Sequence, residues 1–505
     1  MADEHIGESG AGQADELLSF DEAVKFLDTS KSTLYRLLGL GDVKGVKVGK
    51  QWRFRKSDLT AYVERSPVAA SVDAMAIGQL DEELEFFAGE LRAISKDAGG
   101  VSLDVEGQSL ELKIIELANR MLALATLSSA SDIHFEPTSS SINLRFRIDG
   151  VLQIIRRIPM SLHESLIARI KELAQMNVTE KRLPQDGRIL FRCGEGSFDM
   201  RVSVMPTFNG ENAAIRILDR NSALLALDEL GMSTEVLKSV RECLNRPSGV
   251  ILATGPSGSG KTQLLYSSLV ELNSPQIKII TIEDPVEYEL RDISQVQVRH
   301  RVGLTFAAGI RSAMRQDPDV ILCGELRDRE TVDIALRAAI TGIGVLSALF
   351  ADSAIGAIGR LADMEIERYL ITSSLNAVVS VRRARRLCPA CKAPASSADS
   401  QALIASVSHI AARNGYRVPE GAVFYNAVGC KKCRGSGFFG RIGLFEILVC
   451  NPKLVGQLLR CESQEEMTHL AIQSGMRTLF ADGIEKAVDG ETSISEVVRV
   501  TDTWV

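Results

Sequence analysis

Gly255-Pro256-Ser257-Gly258-Ser259-Gly260-Lys261-Thr262 is a complete G-x-x-x-x-G-K-[ST] loop. Its glycines let backbone N–H groups close around a phosphate. Lys261 has the reach for the β- and γ-phosphates of a nucleotide, and Thr262 the hydroxyl to hold Mg²⁺. This chemistry needs a strand before the loop and a helix after it, because the helix N-terminus adds a positive dipole end to the cradle. Both flanks are legible. Val250-Ile251-Leu252-Ala253 reads as a buried strand, and Leu264, Leu265 and Leu269 recur at helical spacing. A chance glycine-rich turn would lack them. A second buried strand, Ile277–Ile282, ends in the acidic cluster Glu283-Asp284-Pro285-Val286-Glu287-Tyr288. Carboxylates at the C-terminal end of a strand in an α/β sheet stand where ligands bind. A third apolar run, Val320–Cys323, ends in Gly324-Glu325. Strand–helix units in succession imply a parallel α/β sheet.

Another chemistry lies nearer the C-terminus. Cys388-Pro-Ala-Cys391 and Cys430-Lys-Lys-Cys433 form two C-x-x-C pairs. Four thiolates in two knuckles suit tetrahedral Zn²⁺, and with all four positions taken the metal would be structural. Redox dithiols or unligated cysteines are the alternatives. Cys193, Cys243, Cys323, Cys450 and Cys461 are scattered and read as core residues.

The whole chain limits what these sites serve. Its 505 residues suit about three to four domains. The net charge of −7 excludes a general nucleic-acid binder, and 5% aromatics exclude base stacking as a theme. MADEHIGESG is acidic where a signal peptide would be apolar, and no run approaches the length of a membrane span. The expectation is a cytoplasmic protein without a transmembrane segment.

Basic charge is local. Residues 17–65 hold ten Lys/Arg against six Asp/Glu. Ser19 can cap a helix through Asp21–Leu27 with Ala23, Val24, Phe26 and Leu27 as its apolar positions. A second helix, Lys31–Leu38, turns Leu34, Leu37 and Leu38 inward and leaves Lys31, Ser32, Thr33 and Arg36 outside. A β-ribbon with Val46, Val48, Trp52 and Phe54 follows, then a helix from Ser57 to Val63. Two helices joined by a polar turn suggest a helix-turn-helix. Residues 17–66 resemble the small excisionase-like, MerR-type DNA-binding domains, including their V-G-x-x-W-R-F-R wing. Lys47, Lys50, Arg53 and Arg55 could track DNA phosphates; a protein-docking adaptor on the same scaffold is the equal alternative.

Residues 1–16 are expected to form a disordered tail, and 67–109 a linker with an acidic helix, Leu80–Ile94. A second N-terminal α/β domain follows over 110–222. Leu112, Ile115, Leu117, Leu122 and Leu124 make its buried helix. Leu144, Phe146 and Ile148 alternate with Arg145, Arg147 and Asp149 on a half-buried strand, and Asp149-Gly150 makes a hairpin turn. The motifs S-D-I-H-x-E-P, R-F-R-I-D-G and K-R-L-P-Q-D-G-R occur here in order, and GLTFAAGIRSAMRQDPDVILCGELRD follows the glycine loop. Over roughly 110–450 the chain resembles the type II secretion and type IV pilus assembly ATPases. That resemblance implies a multidomain α/β protein with a RecA-like P-loop ATPase domain at 223–385, built on four strand–helix units in a row, a tetracysteine zinc subdomain at 386–449 and C-terminal helices at 450–505, beside the N-terminal winged helix-turn-helix module. It implies ATP, Mg²⁺ and Zn²⁺ as cofactors, a homo-hexamer, and recruitment to inner-membrane platform proteins. Glu325 matches the Walker B glutamate, and Glu283 is the other candidate for activating water. Arg311 and Arg315 resemble arginines near the nucleotide. Arg201 and Arg216 match arginines that reach phosphate between domains or subunits, against the ordinary fate of strand-surface arginines. An ATP-binding regulator or scaffold that hydrolyses poorly is the rival function.

The chain also departs from the family pattern. Gly210-Glu211-Asn212 stands where the family writes G-E-R, which removes one charged contact. Thr341–Asp352 replaces T-G-H-x-V-x-S-T-L-H-T-N, so Ile343 and Phe350 hold the two histidine positions, and Ala348 has lost a hydroxyl. Val381 stands where the family has glutamine. The resemblance puts this box near the nucleotide, so binding is expected to survive better than turnover.

Overall fold

The computed structural model describes residues 17–27, 31, 34, 38, 43–48, 51–59, 74–94, 110–194, 196–219 and 225–501. The expectations for 1–16, for Ser32, Thr33, Arg36, Leu37 and Lys50, for Lys31–Leu38 as a continuous helix, for 60–63 of the third helix and for much of the linker lie outside these residues. The chain divides into two compact units, Met1–Asn221 and Ser222–Val505.

In the first unit the Ser19 hydroxyl accepts from Glu22 N–H, and the Glu22 carboxylate accepts from Ser19 N–H at 2.8 Å. This reciprocal cap starts the helix Phe20–Phe26. Val46–Val48 and Gln51–Arg55 form the expected ribbon, and Leu17–Ser19 adds a third strand antiparallel to Gln51–Arg55. Ala23, Leu34, Val43, Phe54 and Leu59 form its core. The acidic helix spans Ala74–Ile94, longer than the sequence suggests. With Leu110–Leu127 it buries Leu80, Leu84, Phe87, Leu117 and Met121 against a six-stranded antiparallel sheet. Leu112, expected inside, is exposed. Asp149 and Gly150 both have positive φ, at 49° and 82°, and join Ser141–Ile148 to Val151–Pro159 in a tight hairpin.

The second unit is built on a seven-stranded sheet. Its order is Ser294–Gln297, Ile279–Glu283, Val320–Cys323, Gly344–Leu349, Gly249–Thr254, Leu375–Leu387, Phe438–Val449. The first six strands are parallel and the last is antiparallel. Helices cover both faces, which is why these strands read as continuous apolar runs. Val250 and Leu252 enter one core with Phe306, Ile310, Leu336 and Ile358, whereas Ile251 and Ala253 enter the other with Val240, Leu264 and Leu269.

Two features differ from the sequence reading. Phe438–Val449, assigned there to the cysteine subdomain, pairs along its length with Leu375–Leu387 and forms the edge of the seven-stranded sheet. It belongs there because Ile442, Leu444, Phe445 and Leu448 are buried. Residues 388–437 are therefore an excursion between two paired strands, and they contain a helix, Ser397–Arg413, that the sequence reading did not assign. Of the four C-terminal helices, Pro452–Leu458 and Gln464–Gln473 pack on the sheet. Leu479–Val488 and Ile494–Thr501 share a core with Ser397–Arg413 through Val407, Ala411, Phe480, Ile484 and Val497. No described helix is long and apolar enough to cross a membrane.

Candidate functional site

The glycine loop emerges at the C-terminal edge of the parallel sheet, between Gly249–Thr254 and the helix Lys261–Leu272. Gly255, Gly258 and Gly260 all have positive φ, at 140°, 74° and 112°. A side chain at either Gly255 or Gly260 would be strained and would also meet neighbouring atoms within 3.1 Å. Ser259 is buried and its Oγ has no hydrogen-bond partner among the described residues. Thr262 is half-buried in the helix's first turn, and Pro256 and Ser257 are exposed at the loop tip. The Lys261 ammonium donates to Gly255 O and Pro256 O, each at 2.8 Å. Burial lowers it to about 8; Glu325 opposes that shift and Arg382 adds to it. One basic and one acidic charge that act on Lys261 thus come from other strands.

Glu283 and Glu325 have opposite settings. Glu283 is buried, and its carboxylate accepts from Tyr266 Oη, from Thr281 Oγ1 at 2.5 Å and from Gln295 Nε2 at 3.2 Å. Burial first, and then Glu283 itself, raise the Tyr266 phenol. Glu325 lies just past the end of Val320–Cys323 and pairs with Arg327, an exposed side chain that it holds in its charged form. Arg311 pairs with Glu330; Arg315 donates to Arg311 O at 2.8 Å and reaches Ser312 at 3.5 Å. These partners lie outside the glycine loop.

The substituted box splits in two. Ile343 precedes Gly344–Leu349, and its carbonyl accepts from Gly249 N–H at the N-terminal edge of the sheet. At about 3.3 Å per residue, the six-residue strand puts it roughly 20 Å from the loop. The expectation that Ile343 stands near a nucleotide is corrected: it packs against the core beneath the sheet. Phe350 follows the same strand at the other edge, and its ring centroid is 4.3 Å from Lys261 Nζ. Ala348 and Val381 are buried in the core under the loop.

Sequence reasoning missed Tyr266, which looks like one more apolar helix residue, and Arg382. Arg382 is mostly buried beside the loop, donates to Asp352 O at 2.7 Å and to Val381 O at 3.3 Å, and its guanidinium is pushed down by burial. An arginine continuing an apolar strand past its partner's end was the available signal.

The four cysteines converge where the paired strands open. All four sulfurs lie within 4.8 Å of one another, with Cys388–Cys430 at 3.9 Å, Cys391–Cys433 at 3.7 Å and Cys430–Cys433 at 3.7 Å. Four thiolates about 2.3 Å from one ion stand about 3.8 Å apart, so the set fits a tetrahedral metal. Burial acts to raise the Cys433 thiol, but N–H groups of Cys430 and Gly437, at 3.1 and 3.2 Å, bring it to about 6.

With this geometry in hand, similarity to known proteins is decisive. The family model described as "Type II/IV secretion system protein" matches residues 108–499. The chain belongs to this secretion family. It is 42% identical over 430 residues to the type II secretion system protein E of Pseudomonas aeruginosa, covering 85% of this chain and 83% of that protein. It is 39% identical over 445 residues to the type IV pilus assembly ATPase PilB of Myxococcus xanthus, covering 87% and 75%. The X-ray structure of the Legionella pneumophila ATPase DotB shares the fold, with a TM-score of 0.55 at 20% identity, covering 78% of this chain and 96% of that one. A helix-turn-helix domain model matches residues 17–67.

The secretion-family match takes in the six-stranded sheet of the first unit. There Arg188, Arg201 and Arg216 are cross-strand neighbours in one row, continued by Asp132 and Arg147. Asp132 accepts from Arg216 at 3.1 Å, and Arg147 lies 3.6 Å away. Arg201 Nε is buried without a hydrogen-bond partner among the described residues. Like charges directly opposite are unfavourable unless an anion joins them. Arg188, absent from the sequence assignment, is legible only through register. At the G-E-N departure, Glu211 pairs with buried Lys171 at 2.5 Å, and Asn212 Oδ1 is buried without a hydrogen-bond partner among the described residues.

Proposed function

We propose that this chain is a cytoplasmic ATPase that binds and hydrolyses ATP to drive an inner-membrane protein-export or pilus-assembly platform. The observation carrying this reading is Lys261, held inside a strand–loop–helix at the C-terminal sheet edge with the charge of Glu325 acting on it. In this reading the parallel sheet is a RecA-like core. The N–H groups of residues 255–262 and Lys261 bind phosphate. Thr262 holds Mg²⁺, and Glu325 orders the attacking water. Arg201 and Arg216, cross-strand neighbours, reach nucleotide phosphate between domains or subunits of a homo-hexamer, and Arg311 and Arg315 lie near the nucleotide. Cys388, Cys391, Cys430 and Cys433 hold a structural Zn²⁺, which supplies no reaction chemistry. Recruitment to the membrane is through partner proteins.

A second reading is a slow-turnover regulator or scaffold working through residues 17–66 with DNA or a protein. It is favoured by one observation: Phe350, rather than a hydrogen-bonding side chain, lies on Lys261. Steady-state ATPase rate of the purified oligomer, with and without platform proteins or DNA, separates the two. A rate that platform proteins stimulate supports the motor. ATP binding without turnover under any condition supports the regulator.

A further inference from the structure

Leu375–Leu387 runs parallel to the P-loop strand and outlasts it. Thr254 lies against Ser380, so Val381, Arg382 and Arg383 continue beside the glycine loop. A methyl group on Gly255 would come within 3.0 Å of Arg382 Nη1, and one on Gly260 within 3.1 Å of Arg383 Nε and 3.5 Å of its Nη2. Two guanidinium groups therefore press on the loop. Arg382 is engaged by Asp352 and Val381. Arg383 is not: among the described residues no carboxylate or hydrogen-bond acceptor pairs with it. Burial lowers its guanidinium to about 10, Arg441 repels it, and Tyr288 and Glu287 attract it, with no hydrogen bond or ion pair to it among the described residues. A largely desolvated cation without a counter-charge is unfavourable unless an anion completes the site.

Sheet order says which part of a nucleotide it faces. Glu325 reaches the loop from Val320–Cys323, two strands to one side of the P-loop strand; Arg383 comes from the adjacent strand on the opposite side. If Glu325 marks the γ-phosphate, Arg383 faces away from it, against Gly260 and the start of the helix.

We propose that Arg383 is a nucleotide ligand, supplied by the same chain, that donates to the α- and β-phosphate oxygens of a nucleoside di- or triphosphate held by the P-loop. This deepens the ATPase reading and rests on its assignment of the loop. Arginine suits the role because its planar fork meets two phosphate oxygens at once. ATP and ADP both carry these phosphates, so they lose the same contact when Arg383 is removed.

The test is the Kd of Mg-ATP and Mg-ADP for the full chain as wild type, Arg383→Leu, Arg383→Lys and Lys261→Ala, with thermal unfolding as a folding check. Arg383→Leu should weaken both nucleotides about tenfold or more and by the same factor, as for loss of a charge-assisted hydrogen bond. Arg383→Lys, which keeps charge without the fork, should fall between. Should the leucine variant not fold, Arg383→Gln takes its place with the same expectation. Wild-type affinity in the Arg383 variants beside a Lys261→Ala chain that has lost binding overturns this inference alone. A loss confined to ATP also overturns it, because it puts the guanidinium at the γ end. Unchanged affinity in Lys261→Ala overturns the P-loop reading beneath it.

Discussion

The Glu283 carboxylate is surrounded by donors from Tyr266, Thr281 and Gln295, so its lone pairs are already used by the protein. Glu325 pairs with the exposed Arg327. Exchange of each for glutamine should therefore fail differently. Glu283→Gln turns an NH₂ group toward buried donors and should cost about 1–3 kcal/mol of stability, read by chemical denaturation. Glu325→Gln should leave stability and ATP binding near wild type and lower kcat by about 10²–10³-fold. The reverse pattern would exchange their roles. Phe350 tests a third residue effect. A cation–π contact is worth about 0.5–2 kcal/mol, too little to keep Lys261 from a triphosphate, so ATP binding should persist. What an aromatic ring cannot do is donate a hydrogen bond or carry a proton there. Turnover is therefore expected about 10²-fold or more below that of histidine-bearing relatives. Phe350→His should raise kcat by tenfold or more, as a positioned acid–base group can, while Ile343→His, at the far edge of the sheet, should not. Equal gains from both variants would contradict the placement of Ile343.

Between residue and domain stands the pair Leu375–Leu387 and Phe438–Val449, which sets Arg382 and Arg383 beside the P-loop and then opens, past Leu387, into the cysteine cluster. Glu496 fastens the last helix to it. Its buried carboxylate accepts from Arg385 N–H at 2.9 Å and Arg385 Nη2 at 2.8 Å, and from Arg499 Nε at 2.8 Å. Burial acts to raise this carboxyl; the bonds from Arg499 and Arg385 win and hold it at about 2, below the ordinary 4.5. A depressed acid stabilises the fold above its unfolded pKa and loses that contribution as pH falls. Glu496→Gln should thus cost about 3–5 kcal/mol at neutral pH, as for a broken buried pair, and the gap should close as pH falls from about 4.5 toward 2. Denaturant titrations across that range check it; a constant gap would mean Glu496 acts by packing alone. Where the two strands open, the purified chain should hold about one zinc by elemental analysis, and chelation should destabilise the core shared by Ser397–Arg413 and the last two helices. Folding indifferent to chelator, in a metal-free chain, would remove the metal. Local signals made the loop, its strand and the cysteine pairs readable, because glycine, lysine and cysteine spacings state their chemistry over a few residues. Tyr266, Arg188, Arg382 and the edge strand Phe438–Val449 were not, because each acquires its meaning from a partner far away in the chain. Ile343 misled for the same reason: a motif's spacing does not say that its two ends fall on opposite edges of a sheet.

Across the whole molecule, charge is divided unevenly. A chain of net charge −7 carries a helix-turn-helix segment with ten basic and six acidic residues over 17–65. In its ribbon Val46 pairs with Arg53 and Lys47 with Trp52, and Lys47 Nζ lies 5.8 Å from the Trp52 ring. Arg55 and Lys56 are exposed. Duplex DNA would be repelled by most of the molecule and attracted by this segment, so any binding should belong to it alone. The full chain should then bind duplex DNA at low salt, and deletion of residues 1–66 should abolish the binding without lowering ATP affinity. Neutralising about four phosphates predicts a slope of log K against log salt of about −3 to −4. Lys47→Glu should weaken binding for every DNA sequence and flatten the slope, because a wing cation meets phosphate rather than base edges. Fluorescence anisotropy across a salt series, with ATP, ADP or neither present, measures all of this. If the full chain does not bind at low salt, the segment docks a protein instead.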